Sequence, residues 1–486
     1  MGVSDDLLRQ LWPYLAAGFT VLAAALASGH AILYKRDPRA AVLWVGFIWV
    51  APVLGPALYL IIGINRIQRR ARALRGARAR YHAPGAGVAG ASAEAAQILS
   101  DAGRHLATLA RFVDRIVARP LRAGNRITPL IDGDQAYPAM LEAIERAEHS
   151  VGLATYIFAN DRVGARFAAA LERACARGVA VRVLVDDAGA RYSWPPIIGR
   201  LRRAGVPVAR FLSTLALWRL TSMNLRNHRK ILVVDGRIGF TGGMNLRAGH
   251  LLVEQPRRPV RDLHFRVEGP VVAQLQEAFV DDWLFATGEE LRGVDWFPPL
   301  SAAGGLLARG IAEGPDQDID KLRWTILGAL ASARRSVRIL TPYFVPDLPL
   351  IIALNVAALR GVEVDILLPS RNNLPFVGWA SMALLPLLVE HGCRVWLTPP
   401  PFDHSKLMLV DGHWTLLGSA NWDARSLRLN FEFDLECYGD ALAGTLEREV
   451  CARRAGAQAV TRELLAQRSL GVRLRDGTAR LLSPYL

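Results

Sequence analysis

Two short segments of this chain carry the same polar residues at the same spacing. Residues 227–245 read N-H-R-K-I-L-V-V-D-G-R-I-G-F-T-G-G-M-N, and residues 403–421 read D-H-S-K-L-M-L-V-D-G-H-W-T-L-L-G-S-A-N. His228, Lys230, Asp235, Gly242 and Asn245 recur as His404, Lys406, Asp411, Gly418 and Asn421. With ten His, four Lys and 26 Asp in 486 residues, chance alone yields one H-x-K-x4-D roughly 0.004 times per chain. Two copies are therefore not coincidence. Of 59 basic residues only four are lysine, and two of those four fall in the motifs.

Residues i and i+2 of an extended chain share a face, so His and Lys of each H-x-K point the same way. Two such segments brought together would surround one small volume with two imidazoles and two ammoniums. Asn245, Asn421 and the neighbouring Gly243 and Ser419 add further donors. A volume lined in this way suits a phosphate whose oxygens gain charge during reaction. Two histidines also permit a two-step displacement, in which one attacks phosphorus and the other donates and later accepts the proton. Symmetry alone does not say which attacks. A lysine beside each histidine repels cations, and no cysteine cluster or carboxylate triad accompanies it, so no metal is expected. No G-x-x-x-x-G-K-[ST] loop is present, so nucleotide-driven transfer has no support, and no cofactor is implied.

The elements that must position these residues are also written twice. A helical stretch at 136–150 feeds V-G-L-A-T-Y-I-F-A-N-D (151–161), and one at 325–336 feeds V-R-I-L-T-P-Y-F-V-P-D (337–347). G-V-A-V-R-V-L-V-D (178–186) is answered by G-V-E-V-D-I-L-L-P (361–369), and A-G-V-P-V (204–208) by H-G-C-R-V (391–395). Each is a glycine turn leading into an apolar run of strand length. Helices alternating with buried strands predict an α/β lobe, built twice with pseudo-two-fold symmetry. The expected divisions are 1–64, 65–123, 124–300 and 301–486.

The N-terminal part reads differently. Leu11–Tyr34 and Ala40–Ile64 contain no formally charged residue, and each is long enough to cross a bilayer. Together they predict a transmembrane helical hairpin, although Ala25-Leu26-Ala27 also resembles a cleavage site for the first span. Seven arginines between Arg66 and Arg80 follow and place that side in the cytoplasm. An Ala- and Gly-rich linker occupies 83–95, a short amphipathic helix 102–117, and the globular part begins near Asn125. The formal charge of +15 suits phosphate-bearing partners. Four scattered cysteines exclude a disulfide scaffold.

The paired H-x-K-x4-D-x6-G-[GS]-x-N segments resemble the phospholipase D superfamily. Their wider context, R-N-H-R-K-I-L-V-V-D-G with F-T-G-G-M-N and H-S-K with G-S-A-N-W-D-A-R-S-L-R-L-N-F-E, resembles its bacterial cardiolipin synthases. The resemblance extends to an N-terminal hairpin ending P-V-L-G-P-A-L-Y-L-I-I-G. It implies two phospholipase D-like lobes, each a mixed sheet flanked by helices. It also implies transfer of a phosphatidyl group between two phosphatidylglycerols through a phosphohistidine, at the bacterial inner membrane and without cofactor. His228 and His404 would be nucleophile and acid/base, with His228 preferred for attack. Lys230, Lys406, Asn245 and Asn421 would hold the phosphoryl oxygens, and Asp262 and Glu432 would each orient the histidine of the opposite lobe. Asp235 and Asp411 count among the catalytic candidates, with bracing of the loop the favoured role. Gly189-Ala190 and Leu246-Arg247-Ala248 depart from the family pattern. Partners would be phosphatidylglycerol and anionic membrane, not nucleic acid, with the oligomeric state open. Acyl chains would lie near Leu212–Leu220 and Leu374–Leu388, runs that could equally be core. A hydrolytic phosphodiesterase acting on lipid or nucleic acid, and a catalytically dead lipid-binding protein, are the alternatives.

Overall fold

The computed structural model describes residues 2–35, 38–63, 99, 101, 103–117, 119–212, 225–315 and 318–483. It divides into two compact units, Met1–Ala71 and Arg72–Leu486. The arginine-rich stretch 66–80, the linker 83–95 and residues 213–220 of the Leu212–Leu220 run lie outside the described residues.

In the first unit the helix Gly2–Tyr34 contains the apolar stretch Leu11–Tyr34, long enough to cross a membrane. The second apolar run differs from the expected continuous span. Its helix Pro38–Val50 stops short of Pro52, and the chain continues as Leu54–Leu58 and a wide turn, Tyr59–Gly63. Pro52 has no N–H to continue the ladder, and thirteen helical residues reach only about 20 Å. Gly55 then approaches the preceding helix so closely that a Cβ would lie 2.6 Å from Ile48 Cα. Among the described residues, only the first run is one helix of membrane length.

The second unit is built on one continuous sheet. Its first copy supplies β1 (Arg122–Ile131), β2 (Ser150–Thr155), β3 (Ala180–Asp186), β4 (Val208–Phe211), β5 (Ile231–Val234), β6 (Ile238–Gly242) and β7 (Leu263–Glu268). The second supplies β8 (Leu306–Glu313), β9 (Ser336–Leu340), β10 (Glu363–Pro369), β11 (Arg394–Thr398), β12 (Leu407–Val410), β13 (Trp414–Gly418) and β14 (Asn430–Tyr438). The spatial order is β4-β3-β2-β5-β6-β7-β1-β8-β14-β13-β12-β9-β10-β11, with Gln458–Val460 at the outer edge. Each half repeats the other, and they join where β1 runs antiparallel to β8. The resulting duplicated α/β fold has the mixed strand directions expected from the sequence.

Local chemistry explains the repeats. Strands β2, β5 and β12 are buried throughout, because helices cover both sheet faces. The crossover helix Arg162–Ala176 starts at Asp161, whose carboxylate accepts from Val163 N and Gly164 N at 3.0 Å. Its counterpart Leu348–Leu359 starts at Asp347 in the same way. Gly178 and Gly361, both at φ +88°, turn the chain from each helix into β3 and β10. The segment before Asn125 is not a spacer. Its helix Ala107–Asp114 buries Leu109, Ala110 and Val113 against Leu322 and Ile326 of the second copy.

Asp235-Gly236 and Asp411-Gly412 are the hairpin turns joining β5 to β6 and β12 to β13, with all four residues at positive φ. Asp235 accepts from the backbone N–H groups of Glu148, His149 and Ser150. Asp411 accepts from those of Arg334, Arg335 and Ser336, and lies 2.6 Å from His105 Nε2. Each carboxylate thus fastens a hairpin to the start of the neighbouring antiparallel strand, β2 or β9. Hydrogen bonds to charged groups contribute about 1.5–3 kcal/mol. Asp235→Ala and Asp411→Ala should each lower unfolding free energy by about 2–3 kcal/mol in chemical denaturation, while turnover per folded molecule stays unchanged.

Candidate active site

The histidines and lysines lie just before β5 and β12, in extended tripeptides that enter the sheet. Two short parallel pairings, each between copies, aim these tripeptides. Arg226–Asn227 pairs with Asn430–Phe431 at the start of β14, and Phe402–Asp403 pairs with Val260–Arg261 just before β7. The next backbone bonds continue the same pattern. His228 N donates to Phe431 O at 2.9 Å, and His404 N donates to Arg261 O at 2.8 Å. The residue after each acceptor is a carboxylate, Glu432 or Asp262. His228 Nδ1 therefore meets both oxygens of Glu432 at 2.9 Å, and His404 Nδ1 meets Asp262 Oδ2 at 2.9 Å. The partnership between lobes is crossed twice.

Both imidazoles, both lysines and both carboxylates are buried. Lys230 Nζ donates to His228 O at 2.6 Å. Lys406 Nζ donates to His404 O and lies 2.9 Å from His404 Nδ1. Each lysine also acts electrostatically on the imidazole of the other copy, so the four groups share one volume. Burial lowers the Lys230 ammonium to about 7 and the Lys406 ammonium to about 8. Burial lowers the His228 imidazole to about 4, although Glu432 opposes the shift.

The two crossed pairs differ in charge. Burial opposes ionisation of Glu432, but His228, Lys230 and the Ser419 hydroxyl outweigh it and hold the carboxyl below its ordinary range. Burial dominates at Asp262 and raises its carboxyl well above the ordinary range, with Lys406 opposing. His404 is lowered well below its usual value, first by burial and then by Lys406. The His228–Glu432 pair is thus a neutral imidazole on a carboxylate. At the His404–Asp262 pair burial works against both charged forms, lowering the imidazole and raising the carboxyl.

Not every sequence candidate reaches this volume. Asp235 and Asp411 stand at the far ends of β5 and β12 on the backbone N–H groups described above, which separates them from the imidazoles. Ser419 Oγ donates to Glu432 Oε2 at 2.6 Å and accepts from Phe433 N, so it holds the carboxylate. Gly243 makes room for the opposite carboxylate: a Cβ there would lie 2.3 Å from Asp262 Oδ1. Asn245 Oδ1 accepts from Ile157 N, and Asn421 Nδ2 donates to Ser426 Oγ. Leu374–Leu388 is divided between roles. Val377, Ala380, Leu384, Leu385 and Leu388 are core, and Leu374 and Phe376 are exposed.

Sequence reasoning passed over two aromatic residues. Tyr156 packs edge-on against His228, with ring centroids 5.1 Å apart, and Tyr343 against His404 at 6.0 Å. Lys230 Nζ lies 5.6 Å from the Tyr156 ring centre. The signal was present, since both tyrosines sit in the repeated strings at 151–161 and 337–347.

Comparison with known proteins gives the family. Residues 140–283 and 326–453 match the family described as "Cardiolipin synthase, PLD-like domain", and residues 22–63 match "Phospholipase_D-nuclease N-terminal". The cardiolipin synthase of Geobacillus kaustophilus (strain HTA426) is 33% identical over 463 residues, covering 93% of this chain and 90% of that protein. Cardiolipin synthase A of Pseudomonas fluorescens (strain SBW25) is 34% identical over 486 residues, covering 98% and 99%. The solved phosphatidylserine synthase of Haemophilus influenzae Rd KW20 shares the fold, with a TM-score of 0.61 at 15% identity. That match covers 78% of this chain and 100% of that one. The chain belongs to the cardiolipin synthase family of phospholipase D-like proteins.

The supports of the two carboxylates make separable predictions. Ser419→Ala removes one hydrogen bond to Glu432 and should lower turnover about tenfold, equivalent to roughly 1.4 kcal/mol. Gly243→Ala forces a methyl group against Asp262 and should cost more, about 100-fold. Steady-state kinetics on folded protein, confirmed by circular dichroism, would check the ranking.

Proposed function

We propose that this chain transfers a phosphatidyl group from one phosphatidylglycerol to another, giving cardiolipin and glycerol through a phosphohistidine. The observation that carries the reading is the pair of crossed imidazole–carboxylate contacts within one buried, lysine-lined volume. His228, neutral and with its Nδ1 held by ionised Glu432, offers Nε2 to phosphorus. His404, whose Nδ1 rests on the Asp262 carboxyl raised by burial, gives a proton to the departing glycerol oxygen. The P–O bond to glycerol breaks as the P–N bond forms. The glycerol hydroxyl of a second phosphatidylglycerol then attacks phosphorus, its proton passes to His404, and His228 is released. Environments that push two such pairs apart in proton affinity assign base and acid roles. Lys230, Lys406, Asn245 and Asn421 surround the phosphoryl oxygens, where ammonium and amide donors stabilise the developing charge.

In this reading residues 1–64 anchor the chain in the bacterial cytoplasmic membrane. The kinked second run stays in the bilayer with the first, which membrane helices containing proline tolerate. Residues 65–123 lead to the catalyst on the cytosolic side, where the seven arginines favour anionic headgroups. Residues 124–300 and 301–486 are the two halves of the catalyst. Tethering concentrates the lipid acceptor and favours transfer over hydrolysis.

Full-length protein in phosphatidylglycerol vesicles with chelator should form cardiolipin and glycerol in equal amounts. Phosphatidic acid as the sole product would instead identify a hydrolase. His228→Ala and His404→Ala should each lower turnover by at least about 10³-fold. A phosphatidyl ester of p-nitrophenol, whose leaving group needs no proton, separates their roles. His404→Ala should accumulate an acid-labile phosphohistidine on this ester, and His228→Ala none. The reverse pattern would exchange the roles, and no adduct in either variant would defeat the covalent scheme.

The pH profile follows from the signs of the shifts. The lysines hold the phosphoryl group as ammonium, the form present below their values of about 7 and 8. The nucleophile acts as neutral imidazole, the form present above about 4. The ratio kcat/KM should therefore be flat between these limits, decline as pH rises through 7 and 8, and decline again on acidification toward 4. A bound phosphodiester anion favours the ammonium forms, so the alkaline limb of kcat should lie at higher pH than that of kcat/KM.

A further inference from the structure

The two crossover helices occupy equivalent places in the two lobes but present opposite surfaces. In the first lobe, Arg162–Ala176 exposes Arg162, Arg166, Glu172 and Arg173. Such a charged outer face is normal for a helix packed on a sheet. In the second lobe, Leu348–Leu359 contains no charged residue. Its outer face is Leu348, Ile352, Val356 and Leu359, which are 50%, 51%, 46% and 69% exposed. These four fall within one narrow stripe at helical periodicity. The fold does not require an apolar face here, since the other copy manages without one. A contiguous patch of this kind marks a surface that something covers.

The patch continues through neighbouring elements. Asn355 Nδ2 donates to Leu387 O, joining the crossover helix to Leu385–Val389 and the adjacent helix Pro375–Met382, at whose start Leu374 and Phe376 are exposed. Against Pro375–Met382 lies the C-terminal helix Leu470–Leu481, with Arg475 4.6 Å over the Trp379 ring and Arg468 donating to Met382 O. That helix exposes Leu470, Leu474 and Leu481 on one side. Arg473 and Arg480 are exposed beside these leucines, and its single acid, Asp476, is buried on Arg468 and Arg475. Leucines flanked by arginines, without an exposed acid, complement an anionic lipid surface. The layer also reaches the active site. Asn373, next to Leu374, accepts from Tyr343 OH at 2.8 Å, and the Tyr343 ring packs on His404.

We infer that this face of the second lobe lies on the anionic bilayer surface, leading lipid to the His404 side of the pocket. Its apolar stripe enters the headgroup–acyl boundary and its arginines meet lipid phosphates. The inference rests on the lipid-substrate reading above, and it adds which surface docks. The covalently attached membrane-length helix (Leu11–Tyr34) keeps the unit near a bilayer, and the bilayer is the occupant to which both the apolar and the basic parts of this face are matched.

The test uses the full chain in vesicles of phosphatidylglycerol and phosphatidylcholine that carry nitroxide lipids. An environment-sensitive fluorophore is attached at Ile352→Cys or, for comparison, at Arg166→Cys, after replacing Cys175 and Cys451 by serine. Docking predicts strong quenching at position 352 and little at 166. Equal quenching at the two sites would overturn the proposal. So would a label at 352 that is already shielded in neutral detergent by a dimer, which would assign the face to a second copy. Quenching needs no turnover, so it stands apart from the lipid-transfer reading, which fails if the parent makes no cardiolipin. As a second readout, the Ile352→Glu/Val356→Glu double variant should melt like the parent and act normally on monomeric short-chain phosphatidylglycerol. On vesicles it should need about tenfold more lipid for half-maximal rate, as expected when roughly 1.4 kcal/mol of apolar insertion is lost. Parental kinetics on both substrates would overturn the docking face.

Discussion

A buried imidazole that must exchange protons needs a carboxylate beside it, and in this protein each imidazole takes that carboxylate from the other half of the sheet. His228 depends on Glu432, and His404 on Asp262. Neither half can hold its own histidine. The continuous sheet across β1 and β8, and the two short pairings between copies that aim the H-x-K tripeptides, are the structural means of meeting this requirement. An unpaired charge in such a place would be strongly destabilising. Placing two ammoniums, two imidazoles and two carboxyls together lets opposite charges compensate within the same volume.

Duplication supplied the symmetry, and small departures from it supply direction. The copy that carries Ser419 uses the longer Glu432, which His228, Lys230 and the serine hydroxyl together hold below the ordinary carboxyl range. The copy that carries Gly243 uses the shorter Asp262, which presses against the space a side chain would fill and whose carboxyl burial raises. One hydroxyl and one methylene are thus among the differences between two otherwise equivalent pairs, and the proposed division of roles rests on that asymmetry. The crossover helices diverge in the same manner, one keeping a charged outer face and the other losing it.

The sequence was most informative where a residue type is rare and its spacing repeats. Lysine in an arginine-rich chain marked Lys230 and Lys406, and the paired strings laid out the strands around them. It was less informative where one residue type serves several purposes. Asp235 and Asp411 are part of the motif, yet their carboxylates hold backbone N–H groups at the opposite ends of β5 and β12. The Asp-Gly pairs that form those hairpin turns were the available signal. Composition made Ala40–Ile64 look like a single span, and Pro52 interrupts it. Tyr156 and Tyr343 went unnoticed because an aromatic residue in a strand is usually core, and only their repetition distinguishes them. The exposed stripe from Leu348 to Leu359 could not be separated by pattern from a fully buried helix, because apolarity all round does not say which side is covered.

The depressed lysines bear on how such a crowded site would take up the proposed anionic substrate. Burial works against both ammoniums, leaving them near 7 and 8, so the empty pocket is not obliged to carry its full positive charge. A phosphodiester entering the same volume brings the negative charge that the ammoniums lack. It raises their affinity for protons and strengthens their hold on its oxygens in the same act. Binding of the proposed phosphodiester would thereby be coupled to proton uptake. Tyr156 and Tyr343 pack against the two histidines beside the crossed pairs, and in the proposed reaction they would bound the space around the phosphoryl group.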